Sequence, residues 1–269
     1  MDPKASYMFT HAVCRKPGRS VVHGLRASDA GDPDFDAFSR EHAAYVEAVA
    51  DAGVEVTLLE PLEAWPDSVF VEDPALCVAG AAIILRPGAP SRFGEREAAR
   101  SALRKLFDTV IDLREGGFVD GGDILVTGRE VLVGLSTRTD SKGVEALSLI
   151  MNELELPMRV IRTPPGILHF KSDCGLLDDE TVFCTRALAA SGCFSGYRVI
   201  ECPAGEEAAA NLIRVNGVVL ASAGHPRTAR LLASEGYDVR TIPTEQAARL
   251  DGGLSCMSVR FRLSAPSTG

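Results

Sequence analysis

The sequence predicts an α/β fold arranged as a closed ring of five strand–helix–strand repeats. Three observations carry this. Short apolar strands ending in an arginine and a polar turn recur roughly 50 residues apart, as in a repeat architecture. Amphipathic helical stretches and a second strand follow them, so that no unit buries its apolar face alone and each needs its neighbours. No Pro/Gly/Ser-rich linker divides the 269 residues, which favours a single domain spanning about residues 8–262.

Taken in order, the first strands are His11-Ala12-Val13-Cys14-Arg15, Ile83-Ile84-Leu85-Arg86, Val131–Arg138, Val182-Phe183-Cys184-Thr185-Arg186 and Val218–Arg227. Their partners are Val54–Leu59, Val110–Leu113, Met158–Ile161, Tyr197–Ile200 and Tyr237–Ile242. Between them, Phe38, Tyr45 and Val49 mark an inward helix face, as do Ala98, Ala102 and Leu106 in the second repeat. Val144, Leu147, Met151 and Leu154 recur at spacings of 3 and 4 in the third, with Glu145, Ser148 and Glu153 turned outward. The fourth repeat is the weakest, because Ser191-Gly192-Cys193-Phe194-Ser195-Gly196 is poor helix material. The fifth helix, Arg227–Glu235, stops at Gly236 as a C′ residue. The ends, before Met8 and from Ala265 to Gly269, read as frayed.

Composition narrows the function. With 28 basic against 37 acidic residues, a net charge of −9 and no Lys/Arg run, nucleic acid and anionic membranes are poor partners and a small cationic molecule is a good one. No apolar stretch reaches the roughly 18 residues of a membrane helix, and the first residues lack a signal-peptide core. Seven scattered cysteines without a CxxC pair suit a reduced cytoplasm rather than disulfides or a structural zinc site.

The chemistry gathers in four stretches. In Leu250-Asp251-Gly252-Gly253-Leu254-Ser255-Cys256, paired glycines let backbone approach a ligand ahead of a thiol and a strand, the setting of a cysteine nucleophile. Burial as a small apolar residue is the alternative for Cys256. Pro66-Asp67-Ser68-Val69-Phe70-Val71-Glu72-Asp73-Pro74 places three carboxylates among apolar residues; extended, it would set Asp67, Asp73, Val69 and Val71 on one face and Glu72 on the other. Carboxylates carried inward call for a cation, whereas a solvated acidic edge would not. Asp120-Gly121-Gly122 repeats Asp251-Gly252-Gly253 at an apparently equivalent place in its repeat, which suggests a shared role at the ring's centre rather than two turns. His169, between Leu168 and Phe170, fits either a core histidine or an acid–base group.

Together these residues resemble the dimethylarginine dimethylaminohydrolases of the guanidino-group-modifying superfamily. The matching pieces are PDSVFVEDP (66–74), RPGAPSR (86–92), VDGGDILVTGRE (119–130), VGLSTRT (133–139), LHFKS (168–172), AANLI (209–213) and LDGGLSCMS (250–258), in the family's order and spanning about residues 8–262. The resemblance implies a five-fold pseudosymmetric β/α propeller, the pentein fold. It implies hydrolysis of Nω-methylated L-arginine to L-citrulline and a methylamine, without cofactor or metal. It also implies Cys256 as nucleophile, His169 as general acid/base, and Asp120 as the carboxylate orienting His169 and holding the guanidinium. Asp67, Glu72, Asp73, Arg92, Arg138 and Asp251 fall at substrate-binding positions, with Leu25 and Leu250 lining the pocket. Arg92 and Arg138 suit the substrate's α-carboxylate, and a protonated His169 would favour the Cys256 thiolate. Phe93 stands where a second arginine often follows Ser-Arg in the family, and the stretch around 24–35, which would supply a lid, matches loosely. An arginine deiminase or amidinotransferase would use the same cysteine and histidine, and a non-catalytic binding module would need neither. A homodimer is left open.

Overall fold

Each repeat is built from three strands, one more than the sequence pattern marks. The computed structural model describes residues 6–27 and 30–263. The first sheet joins β1 (His11–Arg15) to β2 (Glu55–Leu59) in parallel, across helix α1 (Phe35–Asp51), and to the C-terminal β15 (Val259–Phe261) in antiparallel. The second repeats this with β3 (Ala75–Val78), β4 (Ala81–Ile84), α2 (Glu95–Leu103) and β5 (Val110–Asp112). The third uses β6 (Ile124–Val126), β7 (Val131–Leu135), α3 (Ser141–Glu153) and β8 (Met158–Arg162). The fourth uses β9 (Cys174–Leu176), β10 (Thr181–Cys184), α4 (Arg186–Ala190) and β11 (Arg198–Glu201). The fifth uses β12 (Ile213–Val215), β13 (Val218–Ser222), α5 (Pro226–Ser234) and β14 (Asp238–Ile242). The pairing of β15 with β1 closes the ring, so that the five sheets form the pseudosymmetric β/α propeller. The extra strand of each unit spans only three or four residues, too few for an alternation to register.

Local chemistry fixes the helices. Asp34 and Asp140 cap α1 and α3 by accepting from the Ala37 and Gly143 N–H groups at 2.6 and 2.7 Å. Pro226 opens α5, and Gly236, at φ 91°, follows its end as the sequence predicts. The fourth helix is indeed short, five residues begun by Thr185. Phe38, Tyr45 and Val49 are all buried, as are Val144, Leu147 and Met151. The second helix meets expectation in part: Leu106 packs against the core as predicted and Ala102 is half-buried, but the buried apolar residue of the helix is Leu103, with Ala99 beside it. The cause is Glu95, drawn inward by an ion pair with buried Arg92, which rotates the helix onto the 95/99/103 row. Before Met8 the chain is not loose where described: Tyr7 is buried, its carbonyl accepts from the Asn216 N–H at 2.7 Å and its ring lies under Arg214. Residues 264–269 lie outside the described residues.

A short 3-10 turn lies ahead of each antiparallel edge strand: Pro66–Val69, Gly121–Asp123, Phe170–Ser172, Glu207–Ala210 and Ser255–Met257. The first lies six residues ahead of β3 and the others directly precede or nearly reach their strands. The ring thus brings five equivalent turns toward its axis, and the polar residues picked out by the sequence sit on or beside them. A cavity of about 1160 Å³ is lined by Glu72, Lys171, Ser255, Ser258 and Arg260, but not by Asp73, Asp120, His169 or Cys256. Lys171 and Arg260 both donate to Glu72 Oε1, at 2.5 and 3.3 Å, and this charged layer forms a floor between the cavity and the site.

Candidate active site

The acidic stretch does not run extended. Residues Pro66–Val69 form a 3-10 turn, so the expected single face of Asp67, Val69, Val71 and Asp73 does not exist. All three carboxylates are nonetheless buried and go to different places. Asp67 Oδ1 accepts the Leu25 N–H at 2.8 Å, and Gly24 fits between Leu250 and Asp67, so these residues converge. Burial raises the Asp67 pKa, with the charge of Arg92 acting against it. Glu72 turns down to the floor, its Oε2 buried and without a hydrogen bond among the described residues. Asp73 turns up: Oδ1 accepts the Gly122 N–H at 3.0 Å and lies 4.0 Å from His169 Nε2, while Oδ2 pairs with Arg92. Burial would raise the Asp73 pKa, but the charges of Arg92 and His169 outweigh it and hold the carboxyl below its usual range.

Asp120 and His169 are N-terminal flanks of two neighbouring turns, both in extended backbone. His169 Nε2 lies 2.9 Å from Asp120 Oδ2, and Asp120 Oδ1 accepts the Gly88 N–H at 2.6 Å. Asp120 is fully buried, with one carboxylate oxygen on the imidazole and the other on the backbone of Gly88. A Cβ on Gly122 would come within 2.8 Å of the His169 ring, which is why glycine stands there. Burial alone would lower the His169 pKa. The charge of Asp73 and the hydrogen bond His169 donates to Asp120, followed by the charges of Asp123 and Asp120, carry it up to about 9. The ring is therefore an imidazolium at neutral pH, poised as an acid. Asp123, given no role by the sequence, ties the two turns together: it accepts from the Phe170 N–H at 2.8 Å and from the Ser136 and Thr139 hydroxyls at 2.6 Å each.

Cys256 is the middle residue of its turn and buried. Its carbonyl accepts the Glu72 N–H at 3.2 Å, and its own N–H donates to the Gly253 carbonyl at 3.2 Å. Burial, then the carboxylates of Glu72 and Asp73, push its thiol up to about 11. The expected thiolate beside imidazolium is thus opposed by the structure, because two nearby carboxylates resist a third negative charge. A cationic ligand between the carboxylates would reverse that balance. The same cluster could receive a metal ion, since donor atoms of Asp73, Asp120 and His169 lie within 4.8 Å of one another.

The remaining candidates divide. Arg92 donates Nε–H to Glu95, Nη1 to Asp73, and Nη2 to Glu95 and the Asp67 and Phe70 carbonyls, leaving one Nη1 proton among five. Arg138 is half-buried and bears on Asp67 electrostatically, with no hydrogen bond from its guanidinium among the described residues. Asp251, at φ 55° and half-exposed, accepts the Ala27 N–H at 2.5 Å and so braces the Leu25 loop. Part of that loop, residues 28–29, lies outside the described residues. The two Asp-Gly-Gly segments are not equivalent: Asp120 precedes β6 by four residues and Asp251 precedes β15 by eight.

A curated N(G),N(G)-dimethylarginine dimethylaminohydrolase from Pseudomonas aeruginosa is 38% identical over 255 residues, covering 94% of this chain and all of that one. The chain belongs to the dimethylarginine dimethylaminohydrolase family. It is accordingly a hydrolase of carbon–nitrogen bonds in linear amidines. A family model described as eukaryotic N,N dimethylarginine dimethylhydrolase matches residues 36–162. The solved Pseudomonas aeruginosa dimethylarginine dimethylaminohydrolase, a cysteine-to-serine variant with citrulline bound, superposes with a TM-score of 0.92 at 38% identity, covering 95% of this chain and 100% of that one. A histidine-to-glycine dimethylarginine dimethylaminohydrolase adduct with S-methyl-L-thiocitrulline does so with a TM-score of 0.91 at 38% identity, covering 94% and 100%. Within this family the sequence reading passed over Lys171, Arg260, Glu95, Asp123 and Asn211. Asp123, Lys171 and Asn211 stood inside quoted motifs, but nothing local distinguishes a buried aspartate, lysine or asparagine from a surface one.

Proposed function

We propose that this enzyme hydrolyses Nω-methylated L-arginines, asymmetric dimethylarginine and monomethylarginine, to L-citrulline and dimethylamine or methylamine through a covalent bond to Cys256. The observation that carries the reading is the Asp120–His169 pair, at 2.9 Å beside Asp73, on the same ring of turns as the buried thiol. The substrate guanidinium takes acceptors from Asp73 and from the buried Oε2 of Glu72, which has no hydrogen-bond partner among the described residues. Its charge offsets the carboxylates that hold the thiol protonated, and the thiol proton is lost to solvent. The thiolate attacks the amidine carbon. His169 gives its proton to the departing amine as the carbon–nitrogen bond breaks, leaving an S-alkylthiouronium. Neutral His169 then takes a proton from water, the hydroxyl adds to the carbon, and the carbon–sulfur bond breaks as the hydroxyl proton passes to the leaving sulfur, which releases citrulline and restores the thiol.

Arg138 takes the α-carboxylate, joined by the one free Nη1 proton of Arg92. Leu250 and the Leu25 loop, held by Asp67 and Asp251, form the wall near the substrate. Because the turns come from all five repeats, residues 8–262 act as one functional domain, and the chemistry is complete without a homodimer. It needs a reduced thiol, which favours the cytoplasm, and all seven cysteines are free. Incubation with asymmetric dimethylarginine, measuring citrulline and dimethylamine together, should give equal amounts of both. Ammonia from free arginine at a greater kcat/KM would overturn the substrate assignment in favour of a deiminase.

A further inference from the structure

The motif AANLI, residues 209–213, has no part in the chemistry described so far, yet it places Asn211 against the nucleophile. Asn211 ends the Glu207–Ala210 turn, the fifth repeat's counterpart of the Cys256 turn, and is buried. Its Oδ1 accepts the Ser255 N–H at 2.9 Å, which fixes the residue before Cys256 and settles which end of the amide faces the sulfur. Its Nδ2 then points at Cys256 Sγ, 3.9 Å away. The close fit extends to Gly253, where a Cβ would fall 2.5 Å from the Asn211 amide carbon. Glycine is therefore needed there to admit the asparagine, not to form a turn.

We propose that Asn211 is a further catalytic residue, whose side-chain N–H donates to the Cys256 sulfur and stabilises its thiolate. The inference rests on Cys256 being the nucleophile. A neutral thiol is a weak acceptor, which suits the 3.9 Å contact, whereas a thiolate is a strong one and draws the donor in. The need for such a donor is plain in the surroundings. The Glu72 and Asp73 carboxylates both resist a negative sulfur, and the only other side chain bonded to it among the described residues is the Ser255 hydroxyl, also at 3.9 Å. A fixed amide dipole supplies positive potential without a titrating charge, and it serves again when the thiolate leaves in the second half of the reaction.

The test separates donor from scaffold and does not need substrate. Asn211→Asp keeps the acceptor for Ser255, removes the N–H donor and adds a charge that itself raises the thiol, so the neutral Asn211→Ala is read beside it and must show the same slowing. Alkylation of Cys256 by iodoacetamide, located by peptide mass spectrometry at one fixed pH near neutrality, should slow by about tenfold or more, the thiolate fraction lost to a one-unit rise in pKa. Turnover of asymmetric dimethylarginine should fall by roughly 10²-fold, the usual cost of one preorganised donor. Alkylation of Cys256 within twofold of the parent would overturn the role of Asn211 even if turnover fell. Should the variant not fold, the parent chain labelled on asparagine nitrogen decides. The Asn211 side-chain amide signal should move as the thiol titrates in the parent and stay fixed in Cys256→Ala; identical behaviour in both would overturn the proposal. Absence of citrulline formation by the parent, with the alkylation and amide results as expected, would instead fault the substrate reading.

Discussion

Two stretches with the same sequence, Asp120-Gly121-Gly122 and Asp251-Gly252-Gly253, do different work. In the first the aspartate is fully buried, four residues ahead of its strand, and fixes His169. In the second it is half-exposed, eight residues ahead, and holds the Ala27 N–H of a surface loop. The second glycine of each pair has one purpose in both stretches: it clears room for a polar side chain from a neighbouring turn, His169 against Gly122 and Asn211 against Gly253. A short motif therefore carries its backbone requirement from place to place, while its register to the nearest strand decides what its carboxylate does.

The comparison breaks first at Gly122. Gly122→Ala forces the His169 ring away from Asp73 and Asp120, and kcat should fall by roughly 10³-fold or more, toward the full value of general acid–base catalysis. A kcat within tenfold of the parent would show that the ring can move without cost. Asp120→Asn should follow, with kcat down roughly 10²-fold and a changed pH profile. His169 is raised in the folded protein, so its charged form, and the stability that form contributes, is complete below the ordinary 6.5 and lost as pH rises through about 9. The parent should lose activity on that alkaline side, with half lost near pH 9, and its Tm should decline across the same window. In Asp120→Asn both declines should begin at lower pH; unchanged limbs would detach Asp120 from the imidazole. Asp251→Asn is the mildest. It should raise KM by up to about tenfold, the order of one charge-assisted hydrogen bond, with kcat nearly unchanged. A loss of kcat equal to that of Asp120→Asn would restore the two stretches to one role.

Much of this was legible in the chain. The arginine-ended strands and the rows of Phe38, Tyr45 and Val49 or Val144, Leu147 and Met151 carry a period that burial obeys. The three-residue edge strands carry none, and they became visible only through their pairing. Ala98 and Ala102 were only a partial guide, because a buried ion pair, Arg92 with Glu95, outweighed the apolar pattern of α2. Cys256, His169 and the carboxylates stood out as residue types, but the state of the thiol did not. Its pKa depends on Glu72 and Asp73 lying near it in space, some 180 residues away along the chain. Asn211 needed the same knowledge of which turns meet.

The central claim is that Cys256 forms a transient bond to the amidine carbon under an imidazolium held by Asp120. Rapid acid quench of the enzyme during turnover of saturating asymmetric dimethylarginine, followed by peptide mass spectrometry, tests it most directly. The account predicts a thiouronium adduct on the peptide bearing Cys256, absent from Cys256→Ser. An adduct on any other residue, or citrulline formation by Cys256→Ser at the parent's rate, would contradict it.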